Sequence, residues 1–159
     1  MIESEKKGAL RTAQGIVCGP WAFAFEFGWA RSIVDNFDMV AVPQAREWLV
    51  GAANIDGELL PVIDLQRLVA PAQAGAPEAF VRKRDHRLLV GGTGAQSIAM
   101  LFTRLPQMLR YEPRDGDLLG YAPAAIRAVT RGIATNPHGE SYLEIDGPKL
   151  VDMLAELSG

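Results

Sequence analysis

Two apolar runs meet at Asp56-Gly57, and this dipeptide constrains the fold more than any other feature of the chain. A two-residue type I′ turn needs positive φ at both central residues. Asp-Gly supplies that conformation, and the twist of such a turn matches the strands it joins. Residues 50–55 and 58–65 are therefore expected to form an antiparallel hairpin. The second arm is nearly continuous apolar, the pattern of a strand covered on both faces. Pro61 has no N–H for a ladder, so its nitrogen must face an edge or a bulge.

The rest of the chain can be placed around this hairpin. Residues 1–13 read as a flexible lead and residues 14–159 as one domain. Gln14 to Cys18 reads as a short strand closed by Gly19-Pro20. Trp21, Phe23, Phe25 and Phe27 then recur at every second position, which puts four rings on one face of a strand and Ala22, Ala24 and Glu26 on the other. Residues 29–42 continue in β fashion around the polar turn Asp35-Asn36. Gln44 to Leu49 reads as a helical turn delivering Trp48 to the hairpin. Residues 70–77, rich in Ala and Pro, are a loop by composition.

Farther on, a charged turn from Arg82 to Arg87 leads into Leu88–Val90. Gly91-Gly92-Thr93-Gly94 returns the chain into a strand from Ser97 to Phe102 that extends past Pro106 toward Tyr111. Pro123 can open a short helix through Val129. Gly132–Thr135 and Ser141–Ile145 form a last hairpin. A terminal helix begins at Pro148, with Leu150, Met153, Leu154 and Leu157 spaced along one face. Many short strands with turn signals between them define a mostly-β barrel or sandwich.

The residue inventory argues against several functions. The single cysteine, Cys18, cannot make an internal disulfide, consistent with a reducing compartment. The charged start lacks an apolar signal region, and no apolar stretch approaches the ~20 residues a membrane span needs. A cytoplasmic protein is expected, without membrane insertion. A net charge of −3 leaves no electrostatic footprint for nucleic acid. The Arg82–Arg87 run has no interleaved aromatics and reads as a solvated loop.

Catalytic constellations are equally sparse. His86 and His138 sit in turns without metal-ligand spacing, and read as solvated surface residues. Cys18 reads as a buried, inert thiol. Gly91–Gly94 lacks the Gly-Lys-Ser/Thr ending of a phosphate loop. Glu58 and Asp64 share a strand face at roughly 20 Å, too far apart for paired acid–base work. No catalytic residue, cofactor or metal is assigned, and the expectation is a protein that is not an enzyme. Trp21, Trp29 and Trp48 are each assigned to the core ahead of a partner surface.

The hairpin and its approach resemble the CheW-like adaptor family of bacterial chemosensory arrays. The resemblance rests on Pro43, Trp48, Gly51, Asn54-Ile55-Asp56-Gly57, Pro61-Val62-Ile63 and Asp64-Leu65. Upstream, Ile16-Val17-Cys18-Gly19, Phe23-Ala24-Phe25-Glu26-Phe27 and Ile33 fit the family's early strands. Downstream, Gly94 to Leu105 and Leu143 to Leu157 fit more loosely. Trp48 and the Asn-Ile-Asp-Gly-Glu-Leu-Leu-Pro run are similar to the pilus-linked (twitching-motility) branch.

The resemblance implies two intertwined SH3-like β-barrels around a shared core, with a short C-terminal helix. It implies a non-catalytic scaffold that couples a methyl-accepting receptor's cytoplasmic tip to the regulatory domain of a CheA-like histidine kinase. Self-association is a further expectation. A stand-alone regulatory or oligomerising β-module without kinase coupling is the alternative. Ala30, Ser32, Val34, Ile55, Asp56, Gly57 and Glu58 are the candidate partner contacts. The chain departs from the family pattern at Asp56 (arginine in the family), Ser32 (glutamate), Thr103 (aspartate) and Ala24 (glycine). The reversal at Asp56 bears directly on which partner is tolerated, because like charges across an interface cost several kcal/mol.

Overall fold

A computed structural model of the chain describes residues 10–71, 80–112 and 122–158. Among the described residues there are ten strands: β1 Arg11–Cys18, β2 Trp21–Glu26, β3 Ala30–Val34, β4 Met39–Val40, β5 Leu49–Ile55, β6 Glu58–Ile63, β7 Arg87–Gly91, β8 Ile98–Tyr111, β9 Thr130–Thr135 and β10 Ser141–Ile145. Two α-helices, α1 Leu65–Val69 and α2 Gly147–Ser158, and short 3₁₀ turns at Gly94–Gln96 and Ala124–Val129 complete the described elements.

The strands form two half-sheets that share β8. In the first, the order is β8-β1-β2-β10-β9. In the second it is β4-β5-β6-β8-β7-β3. The first half of β8 pairs with β7 at residues 98–102, and its second half pairs with β1 at residues 103–111. Arg104, at φ 67°, marks a bulge where three β8 residues oppose one on β1, between the Thr103↔Val17 and Gln107↔Gly15 pairs. The ladders run from β4 at one end to β9 at the other without closing. The architecture is the expected mostly-β pair of small sheets, but the barrels implied by the family are open.

Three apolar clusters explain why so many strands read as continuous hydrophobic runs. A central cluster lies between the half-sheets and holds Ile16, Phe23, Phe25, Trp48, Ile63, Met100, Phe102, Ile145 and Leu150. Each half-sheet also has its own cluster on the opposite face. On β7, Leu89 faces the central cluster while Leu88 and Val90 face the other. On β8, Met100 and Phe102 alternate in the same way with Ala99 and Leu101. Fully burying a Phe or Leu side chain contributes roughly 1.5–3 kcal/mol, so the two-sided strands carry most of the apolar stabilisation.

Several local expectations change. β1 starts at Arg11, and Ala13 is fully buried, so residues 11–13 belong to the sheet and not to a flexible lead. Phe23 and Phe25 are core, but Phe27 lies beyond the strand end and is 47% exposed. Ala24, on the opposite face, is also fully buried. Gln44 adopts φ 56°, and residues 44–48 form turns instead of a helical one. The second hairpin arm ends at Ile63. Asp64 caps α1, its carboxylate accepting from the backbone N–H of Gln66 and Arg67. The 70–77 loop falls largely outside the described residues.

The tryptophans resolve as well. Trp48 is buried, and Trp21 is half-buried. Trp29 stacks on Phe25 at 5.5 Å between ring centroids. Its indole fits between Gly91 and Gly147, where a Cβ on either glycine would overlap the ring. The absence of two side chains thus makes the slot that fastens the β2–β3 connection to β7 and α2.

Candidate functional site

The hairpin turn forms as its sequence requires. Asp56 and Gly57 have φ of 51° and 86°, a type I′ combination, and the Asn54 side chain accepts from the Gly57 N–H at 3.1 Å. Asp56, Gly57 and Glu58 are exposed at the tip. Ile55 is only half-buried and packs against the cluster of its own half-sheet, as does Val34. Ala30 is 9% exposed and belongs to the central core, whereas Ser32 is exposed. The candidate contacts therefore divide. Ser32, Asp56, Gly57 and Glu58 face outward. Ala30 is buried in the central core, and Val34 and Ile55 pack partly buried against the cluster of their own half-sheet.

Glu58 also leads into a groove of about 460 Å³ between the hairpin and α2. One wall is Glu58, Leu59 and Pro61 of β6. The other is Val151, Leu154, Ala155 and Ser158 of α2. Gly94, Ala95, Ser97 and Ile98 close one end, and Trp48 and Leu49 also line it. The neighbouring strand β8 pairs with β6 only at Val62 and Ile63. Residues 58–60 consequently have no strand partner on that side, and the pairing with β8 begins at the Pro61 carbonyl, where the missing N–H of Pro61 costs no ladder bond. Arg31, next to Ser32, donates to the Ser97 hydroxyl at 3.3 Å. Of the candidate contacts Glu58 alone lines this groove, and β3 is tied to it through the bond from Arg31 to Ser97.

Two further apolar side chains are exposed on β8. The bulge at Arg104 leaves Leu105 75% exposed and Met108 60% exposed. Leu59, at 67%, is the comparable residue in the groove. These three were not among the expected contacts. Leu59 was legible in outline, since Leu60 and Val62 occupy the inward positions of β6 and period two turns Leu59 outward.

The groups that catalysis would use are otherwise engaged. Cys18 is buried with its Sγ 3.5 Å from the Leu101 carbonyl oxygen. Burial, with the Asp64 carboxylate adding to it, pushes its thiol far above the ordinary range. His86 is half-buried instead of solvated: its Nδ1 accepts from the Lys83 N–H at 2.8 Å, and its ring stacks on Phe80. Burial lowers its pKa, with nearby charges acting in both directions. His138 is exposed in the β9–β10 turn. Among the described residues no group of three His, Cys, Asp or Glu side chains converges in a metal-binding arrangement. No described helix is long and apolar enough to cross a membrane.

The described residues form a β-domain that exposes turns, strand edges and several apolar side chains. The CheW-like domain model matches residues 15–155, and the chain belongs to that family. Among curated relatives, the chemotaxis protein CheW of Thermotoga maritima is 21% identical over 138 residues, covering 87% of this chain and 85% of its own. The crystal structure of the scaffolding protein TtCheW from Thermoanaerobacter tengcongensis superposes with a TM-score of 0.64 at 14% identity, over 87% of this chain and 90% of that one. At that identity the superposition speaks for the fold alone.

Proposed function

We propose that this chain is a non-catalytic cytoplasmic scaffold joining the cytoplasmic tip of a methyl-accepting receptor to the regulatory domain of a histidine kinase. The observation that carries the reading is membership of the CheW-like family across nearly the whole chain. The geometry supports it, because a coupling protein needs two separate contact surfaces on one stiff body. The hairpin tip with its adjoining groove supplies one surface, and the Leu105–Met108 stretch of β8 the other. Both are built on strands fixed by the central cluster, so the two partners would be held at a set spacing.

Asp56 tunes the first surface. It stands where the family carries arginine, at an exposed tip. It therefore selects a partner with a basic or neutral facing residue and disfavours an acidic one. The test uses the chain immobilised and exposed to the purified kinase and receptor cytoplasmic fragment from the same cell. Capture of both is the expected result, and Asp56→Arg should weaken capture of one by about tenfold, a change of ~1.4 kcal/mol, with the thermal midpoint lowered by no more than about 4 °C. Self-association with neither partner captured would instead establish the stand-alone oligomerising module.

A further inference from the structure

We propose that residues 80–86 form an acid-sensitive strap on the hairpin half-sheet, latched by the neutral imidazole of His86 and released when that ring takes up a proton. The inference goes beyond the scaffold reading and does not depend on it.

The latch is a pair of bonds across one turn. The His86 N–H donates to the Lys83 carbonyl at 3.1 Å, and the Lys83 N–H donates to His86 Nδ1 at 2.8 Å. The second bond fixes the protonation state. A backbone N–H can only donate, so Nδ1 must present its lone pair and the ring's one proton must sit on Nε2. A second proton would go to Nδ1 and set two donors against each other. The bond is therefore open only to the neutral ring.

The strap itself is held by apolar and ring contacts. His86 stacks on Phe80 with centroids 5.5 Å apart. Phe80 packs against the cluster that contains Phe37, Leu60 and Val62, and Arg67 of α1 lies over its ring at 5.7 Å. Arg82 lies over the Phe37 ring at 3.8 Å and donates to the Phe37 carbonyl. Val34 of β3 and Ile55 of the hairpin pack on the same cluster, so release of Phe80 would loosen both.

The charges around His86 have mixed signs. Within the strap, Arg82 and Lys83 oppose a second proton and Asp85 favours it. Asp64, the cap of α1, also favours it. Asp64 is itself engaged by Arg67 at 3.5 Å and by two α1 N–H groups. Arg84 is exposed in the turn, and Arg87 pairs with Asp35 at 3.3 Å. Burial decides the balance and holds the ring below its ordinary 6.5. Opening the strap returns the ring to water and to that ordinary value. The open form thus takes up the proton more readily. The strap stays closed above about pH 6.5 and opens progressively as pH falls below it.

Nuclear magnetic resonance of the whole chain, titrated from about pH 8 to about pH 5, tests this. The His86 ring should titrate with a midpoint below 6.5. The Lys83 amide signal should move upfield with the same midpoint, and the cross-relaxation between the Phe80 and His86 rings should fade with it. Corrected for its intrinsic rate, Lys83 amide exchange should quicken about fivefold at the acid end, the loss of one net hydrogen bond. His86→Asn supplies an acceptor oxygen in place of Nδ1 and cannot titrate, so its Lys83 amide should stay still. His86→Phe keeps a stacking ring without an acceptor, so its Lys83 amide should sit upfield at every pH. A His86 midpoint at or above 6.5, ring contacts that survive acid, or the same acid response in His86→Asn overturns the proposal. Movement of the β9 and β10 amides with the same midpoint also overturns it, because the event would then be general acid unfolding.

Discussion

The half-sheet that bears the hairpin is filled with hydrocarbon, whereas the other encloses a carboxylate. Phe37, Leu60, Val62, Leu88, Val90 and Leu101 pack the first. The second has Ala13, Ala24, Ala134, Leu109 and the rings of Tyr111 and Tyr142, with Glu144 only 2% exposed beside them. Arg11 donates to both Glu144 oxygens at 2.9 and 3.2 Å. The Tyr111 hydroxyl donates to one, and Arg131 lies 3.8 Å away. A core of small residues buries less area per position. It gains definition from directed bonds, and a buried carboxylate with satisfied oxygens is tolerated where a bare one is not. The two halves should therefore fail differently: the first by losing volume, the second by losing a partner.

The largest effect expected is in the hydrocarbon half. Leu88→Ala should cost roughly 2–5 kcal/mol through lost transfer and an unfilled cavity, measured by urea denaturation. In the polar half, Glu144→Ala should cost about 1–3 kcal/mol by stranding the Tyr111 hydroxyl and releasing Arg11. Glu144→Ala with Tyr111→Phe should recover part of that loss, because the stranded group is gone. If the double variant is instead worse by the sum of the two, the bonded-core account of this half fails.

Alkaline pH separates the halves further. Burial, followed by the bond to Glu144, raises the Tyr111 phenol above its ordinary 10.0, and burial raises Cys18 above 9.0. The unfolded chain then loses these protons first. Stability should hold below about pH 9 and fall as pH rises beyond it. Tyr111→Phe should flatten the part of the decline that begins near pH 10, seen as urea midpoints measured between pH 7 and 10.5. The smallest effect belongs to the hairpin tip: Asp56→Arg should cost no more than about 1 kcal/mol, since the side chain is exposed and the cost lies in placing Arg at a positive φ that Asp adopts more readily.

Legibility in the sequence followed the range of the interactions involved. The hairpin at Asp56-Gly57, the long β8, the Pro123 turn and the terminal helix rest on local chemistry, and all were readable. Arg11 looked like part of a charged lead because its partner, Glu144, lies 133 residues away. Asp64-Leu65 looked like the end of a strand because apolar continuity outweighed the capping signal of Asp64. The slot for Trp29 depends on Gly91 and Gly147, two glycines whose role appears only once β7 and α2 lie against the same ring. The candidate site shows the same division. Its hairpin wall was visible in the sequence, and so was the terminal helix, but not that Val151 to Ser158 of that helix lie across the groove from β6.

The pairing of β2 with β10 carries a consequence for how the chain is made. These strands run parallel, Phe23 opposite Leu143 and Phe25 opposite Ile145. A ribosome releasing the chain from its N-terminus exposes Phe23 and Phe25 early, yet their neighbour is synthesised some hundred residues later. At roughly 5–20 residues per second, that strand edge waits on the order of ten seconds. Through that interval it is open to other nascent chains and to chaperones. The intertwining that makes the finished protein a single stiff body is thus also what makes its synthesis vulnerable to aggregation.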